Sequence, residues 1–142
     1  MTTRALFAGA LVTTALIAGC GDDDDGGDSG GDEAAIEQAV RNYGVAIADG
    51  EATRACALLS PAGRRQIEQQ QSALTKRQIS SCPPAVRALN ESLSPEDAEA
   101  SREIELEQIE VDGDAATARV VDGNGVLLVR SGESWLIAGF TA

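Results

Sequence analysis

Apolar residues recur along this chain in two rhythms. Ile36, Val40, Tyr43 and Ile47 follow one another at intervals of 4, 3 and 4, the stripe of a helix that buries one face. Asp32 stands where an N-cap belongs, and Asp49-Gly50 where such a helix stops. A short second helix is predicted over Glu51 to Leu59. Ser60-Pro61 then restarts a helix with a capping hydroxyl and a proline in the first turn. Its polar stretch, Arg64 to Gln71, is expected to lie largely in solvent. Cys82-Pro83-Pro84 interrupts the chain before Ala85 to Leu93, where Val86, Leu89 and Leu93 return at helical spacing. Ser94-Pro95-Glu96-Asp97 repeats the cap-and-proline start, with acids that suit the helix dipole, and the helices end near Ser101.

The period then changes to two. Glu103-Ile104-Glu105-Leu106-Glu107 alternates as a strand with one wet face, whereas Ile109 and Val111 continue in the opposite parity. One residue must slip near Glu107-Gln108, as in a β-bulge. Asp112-Gly113-Asp114, Asp122-Gly123-Asn124-Gly125 and Gly132-Glu133 supply turn chemistry between Ala115–Val121, Val126–Arg130 and Trp135–Phe140. Helices followed by a meander predict an α+β fold, with the N-terminal helices packed on one face of a curved, bulged antiparallel sheet.

Strand parity makes a further prediction. If Val121 pairs with Val126 and Arg130 with Trp135, one face carries Ile109, Val111, Ala116, Ala118, Val120, Leu127, Val129, Leu136, Ala138 and Phe140. That continuous apolar face is expected under the helices. The other starts with Thr117 and Arg119 but ends with Val126, Leu128, Trp135 and Ile137. With Arg130 beside Trp135 as a cation–π partner, it is the candidate interaction face, for a second copy or an envelope protein. The alternative is local cover by arginine side chains and the C-terminal residues.

The N-terminus has its own pattern. An apolar run from Ala5 to Gly19 follows Arg4, and it is shorter than the roughly 20 residues a spanning helix needs. Its end, Leu16-Ile17-Ala18-Gly19-Cys20, resembles the signal of bacterial lipoproteins. That resemblance implies a signal peptide over 1–19, cleavage before Cys20, and lipid on the Cys20 sulfur. The protein would then be extracytoplasmic and held to the cell membrane. Gly21 to Asp32 contains only Gly, Asp and Ser, so 20–32 reads as a lipidated cysteine and a solvated spacer, with a reach of roughly 20 Å. Its aspartates lack the spacing and the Glu of an EF-hand. The folded domain is expected over 33–142.

Charge narrows the partners. The chain of 142 residues carries a net charge of −12, with a cluster of acids at Asp22–Asp25, Asp28, Asp32 and Glu33. Such a surface repels nucleic acid and anionic headgroups. There is no histidine, which removes the commonest general base and metal ligand. No cofactor or metal site is expected. Cys56 and Cys82 are the cysteines left after Cys20, and in an exported protein a remaining pair usually forms a disulfide; two buried thiols that never meet are the alternative.

Three stretches further resemble the nuclear-transport-factor-2-like superfamily of cone-shaped α+β domains. They are the opening helix Ala34–Asp49, the tight turn into Glu51-Ala52-Thr53-Arg54-Ala55-Cys56-Ala57-Leu58-Leu59-Ser60-Pro61, and the ending Gly132-Glu133-Ser134-Trp135-Leu136-Ile137. They span most of 33–142, and look especially like the small bacterial lipoproteins of that superfamily with no assigned activity. Some relatives, including ketosteroid isomerases, polyketide cyclases and epoxide hydrolases, do chemistry inside the cone. The isomerase pattern needs a tyrosine on the first helix and two pocket acids. Tyr43 matches the tyrosine, no acid matches the others, and the histidine of the cyclase pattern is missing. Tyr43 is therefore read as a core residue with its hydroxyl satisfied at the pocket rim. The leading expectation is a non-catalytic lipoprotein module for protein interaction or structure. The second is a small-ligand binder using the cone interior around Tyr43, and an isomerase- or cyclase-type enzyme comes third.

Overall fold

The computed structural model describes residues 29–142. The predicted signal, Cys20 and most of the spacer therefore lie outside the described residues. Five helices come first: α1 (Ser29–Ala48), α2 (Ala52–Ala57), α3 (Pro61–Thr75), α4 (Cys82–Ser92) and α5 (Pro95–Arg102). Four strands follow: β1 (Leu106–Asp112), β2 (Ala115–Val120), β3 (Gly125–Ser131) and β4 (Ser134–Thr141). They form one open antiparallel sheet in the order β1-β2-β3-β4, and the fold is the expected α+β.

Local chemistry explains the helix boundaries. The Ser60 hydroxyl accepts from the Gly63 N–H at the start of α3, and Ser94 and Asp97 close a capping box on α5. Pro83 and Pro84 do not break α4 but occupy its first turn, where a missing N–H costs nothing. At the other end of α1 the Asn90 side-chain amide donates to the carbonyls of Ile47 and Ala48, at 2.8 and 3.1 Å. α3 is less exposed than expected. Ile67 and Gln71 are buried, and the Gln66 amide exchanges two 2.8 Å hydrogen bonds with the Phe140 backbone. Those bonds, with Ser60 N–H to Ile137 O and Ile137 N–H to Leu58 O, occupy the free edge of β4 and shield it from pairing with another chain.

Cys56 on α2 and Cys82 on α4 are joined in a disulfide, with Cα atoms 6.0 Å apart. Closing a loop of 26 residues stabilises the fold by roughly 3–4 kcal/mol in the chain-entropy model.

The bulge in β1 falls where the parity change placed it: Leu106 pairs with Val120 and Gln108 with Arg119, leaving Glu107 as the extra residue. The strand starts at Leu106 and not at Glu103, because α5 and its C-cap extend to Glu103.

The expected division of the sheet into faces is corrected in its second half. Val126 meets Ala118, not Val121, and this odd offset turns β3 and β4 over. Val126, Leu128, Trp135 and Ile137 join Ala116 and Ala118 in the buried core, at 3, 1, 3 and 0% exposure. The candidate interaction face is thus interior, covered by the chain's own helices. Leu127, Val129, Leu136 and Ala138 lie half-buried or exposed on the outer side. A second bulge then reverses β4 once more: Leu127 pairs with Gly139 and Leu128 with Ile137, so Ala138 is extra. It returns Phe140 to the inner side, opposite Val126.

Candidate functional site

Two buried polar aromatics mark the two ends of the space between α1 and the sheet. Near the start of α1 the Arg130 guanidinium lies 4.5 Å from the Trp135 ring centroid. It also donates to Asp32 Oδ2 at 2.6 Å and pairs with Asp114 at 3.4 Å. The Trp135 indole N–H donates to the other Asp32 oxygen at 3.3 Å. Asp32 is therefore no N-cap. It lies inside α1, and its carboxylate ties the helix to β3 and β4. The Arg130 hydrogen bond holds the Asp32 carboxyl below its ordinary range, assisted by the indole. The expected Arg130–Trp135 stacking is present, on a ring that is interior.

Tyr43 lies further along α1. It is 6% exposed, and its ring packs on Phe140 with centroids 5.4 Å apart and a tilt of 32°. Burial pushes its phenol well above the ordinary tyrosine range, so it stays a neutral O–H donor at physiological pH. Two adjoining clefts of about 1170 and 760 Å³ share Tyr43, Leu89, Asn124 and Phe140 in their walls. Val40, Ile47, Ile104 and Val126 give the larger cleft an apolar lining, whereas Gln66, Gln69 and Gln70 line the smaller. Gly44 also faces the larger cleft, and a side chain there would collide with the Ser101 carbonyl of α5. A glycine at this position lets α5 close over α1 and form the cleft wall.

The Tyr43 hydroxyl has no hydrogen-bond partner among the described residues, contrary to the expectation of a hydroxyl satisfied at the rim. No described side-chain nitrogen or oxygen is sealed from solvent without a partner. The hydroxyl is therefore reached by solvent, on a residue that lines both clefts.

Charged groups gather at the α5–β1 side of the larger cleft. Arg102 is bound by Asp49 at 2.9 Å and Glu99 at 3.0 Å, and the Asp49 hydrogen bond leads in raising its pKa. Arg41 is held by Glu37 at 2.6 Å. Glu103 and Glu105 line the same cleft and are exposed; the Glu105 carbonyl accepts from the Val121 N–H at 3.1 Å, but neither carboxylate accepts a hydrogen bond from the described residues. Among the described residues the buried polar side chains are Ser60 and Gln71, and no carboxylate is buried beside Tyr43. No group of three His, Cys, Asp or Glu among them is placed to hold a metal ion.

Sequence reasoning found Tyr43, Cys56 and Cys82 from stripe and pairing. It missed Phe140 as Tyr43's neighbour, Asp32 as the partner of Arg130, and Glu103 and Glu105 at the rim. The aromatic at the end of β4 was a usable signal for Phe140. The contacts of Asp32, across 98 and 103 residues, left no local trace.

No protein-family model matches the chain, and no curated protein or solved structure matches it. Among the described residues no helix is long and apolar enough to cross a membrane.

Proposed function

We propose that this chain is a lipid-anchored extracytoplasmic binding protein whose domain holds a small, largely apolar molecule in the cleft around Tyr43. The carrying observation is the Tyr43 hydroxyl. It belongs to a buried ring, is reached by solvent and has no hydrogen-bond partner among the described residues, at the wall of an apolar cleft large enough for a ligand. A ligand acceptor would complete it, and the surrounding apolar side chains would supply most of the affinity. The order of helices and bulged meander, with the open end of the sheet left for a pocket, supports reading the domain as nuclear-transport-factor-2-like. The membrane anchor rests on the signal pattern ending in Cys20.

The protein-interaction reading loses its main support, since Val126, Leu128, Trp135 and Ile137 are interior. Catalysis of the isomerase type needs acids beside the tyrosine, and the carboxylates that line the larger cleft are exposed at its rim. Binding without turnover is the function these residues support best.

Native mass spectrometry of the full chain, extracted from the membranes of cells producing it, tests the proposal. A discrete small-molecule adduct on the wild type, reduced in Tyr43→Phe, is expected. Bare protein in both, or an equal adduct on both, would overturn it. For the anchor, Cys20→Ala should release the protein from the membrane or stall its processing; membrane-bound mature protein with an unmodified Cys20 would contradict it.

A further inference from the structure

The larger cleft is apolar within and acidic at its edge, and this combination restricts what enters. Of the cations in its wall, Arg41 is bound by Glu37, and Arg102 by Asp49 and Glu99. Two of the four acids are also engaged. Asp97 accepts from the Ser94 hydroxyl at 2.7 Å, and Asp122 accepts from both the backbone and side chain of Asn124 at 2.9 Å. Glu103 and Glu105 remain, either side of Ile104 where α5 passes into β1, with carboxylates that have no partner among the described residues. The rim thus has carboxylates to offer a ligand and no uncommitted arginine. An anionic ligand would be repelled there, and a neutral one would gain at most a hydrogen bond, without the charge attraction open to a cation. Tyr43, 6% exposed and with a hydroxyl that no described residue binds, lines the same cleft and independently marks it as a place that can take up a polar group.

We infer that the ligand is a cationic amphiphile, with a hydrocarbon body lodged against Tyr43, Val126 and Phe140 and a protonated amine held by Glu103 and Glu105. This rests on the reading of the cleft as a ligand site and adds the charge of the ligand. The exposed carboxylates set charge preference, and the apolar wall sets affinity.

Three probes with one hydrocarbon cage separate these contributions: adamantan-1-amine, adamantan-1-ol and adamantane-1-carboxylate. They would be titrated calorimetrically into the full chain in zwitterionic lipid nanodiscs at neutral pH, with empty discs as reference. The expected order is amine, then alcohol, then carboxylate, with the amine favoured over the alcohol by about fivefold at low salt. That ratio should shrink as salt is added. The double variant Glu103→Gln/Glu105→Gln should bring it to about one. These are exposed side chains without partners among the described residues, so the variant is expected to fold as the wild type does. Equal binding of amine and alcohol, tightest binding of the carboxylate, or an unchanged ratio in the double variant would overturn the cationic assignment and leave the cleft a ligand site. Failure of all three probes to bind would overturn the ligand site itself and this inference with it.

Discussion

Near the start of α1, Asp32 takes up the indole N–H of Trp135 and the guanidinium stacked on its ring. Eleven residues on, about 16 Å along the helix axis, Tyr43 is nearly as buried as Trp135, and its hydroxyl makes no hydrogen bond to the described residues. Trp135 and Phe140, the ring packed on Tyr43, also lie at opposite ends of β4, at its start and towards its end. One end of the helix–sheet sandwich is therefore closed by its own residues, and the other leaves a hydroxyl open to solvent. A buried polar group normally has a partner, because an unmade hydrogen bond costs more than a made one contributes. The Tyr43 hydroxyl meets that rule only through its access to solvent, and a donor so placed on a buried ring is the place to look for function.

The closed end should yield most when it is broken. Trp135→Ala removes a fully enclosed ring and uncovers Arg130, and is expected to lower the unfolding free energy by about 3–5 kcal/mol in denaturant titrations. A loss under about 1 kcal/mol would mean that this end is not closed by the ring. The disulfide comes next. Cys56→Ala/Cys82→Ala should cost roughly 3–4 kcal/mol, and titration of unreduced, denatured wild-type protein should find neither Cys56 nor Cys82 as a free thiol.

Acid offers a gentler probe of the same end. The folded Asp32 carboxyl titrates below its unfolded value of 3.8, so its contribution is fully present above that pH. It is lost as pH falls through the lower folded value. The stability difference between wild type and Asp32→Asn should therefore be constant above about pH 5 and shrink below about pH 4. A difference that widens on acidification would mean that the carboxylate is not held ionised by Arg130.

How far these ends could be read from the residues depended on whether the two sides of an element differ. In α1 they do, and the stripe through Tyr43 identified its inner face. In β1 the change of parity after Glu107 announced its bulge, because charged and apolar residues mark its two sides. In β3 and β4 both sides are apolar: Val126 and Leu128 alternate with Leu127 and Val129, so the pattern cannot distinguish inside from outside. The answer lay in the connection from Val120 to Asn124. There the Val120 N–H donates to the Asn124 carbonyl, and Gly123 takes a φ of +94°. This places Ala118 opposite Val126. Turn residues announced a turn there but not its register. Asp32 carried a misleading local signal, since an aspartate before a helical stripe suits an N-cap as well as it suits a distant arginine. Ion pairs across the fold leave no such periodic mark.

The smallest effect on stability is expected at the open end, and it tests the account most directly. Tyr43→Phe removes only the hydroxyl, which no described residue binds, so the unfolding free energy should change by no more than about 0.5 kcal/mol. Binding of adamantan-1-ol to the full chain in nanodiscs, measured calorimetrically for both proteins, should nevertheless weaken by about three- to tenfold in the variant, the value of one ligand hydrogen bond. Unchanged stability with weakened binding is the predicted result. Equal binding by both proteins, or a destabilised variant, would contradict the claim that Tyr43 is left open for a ligand.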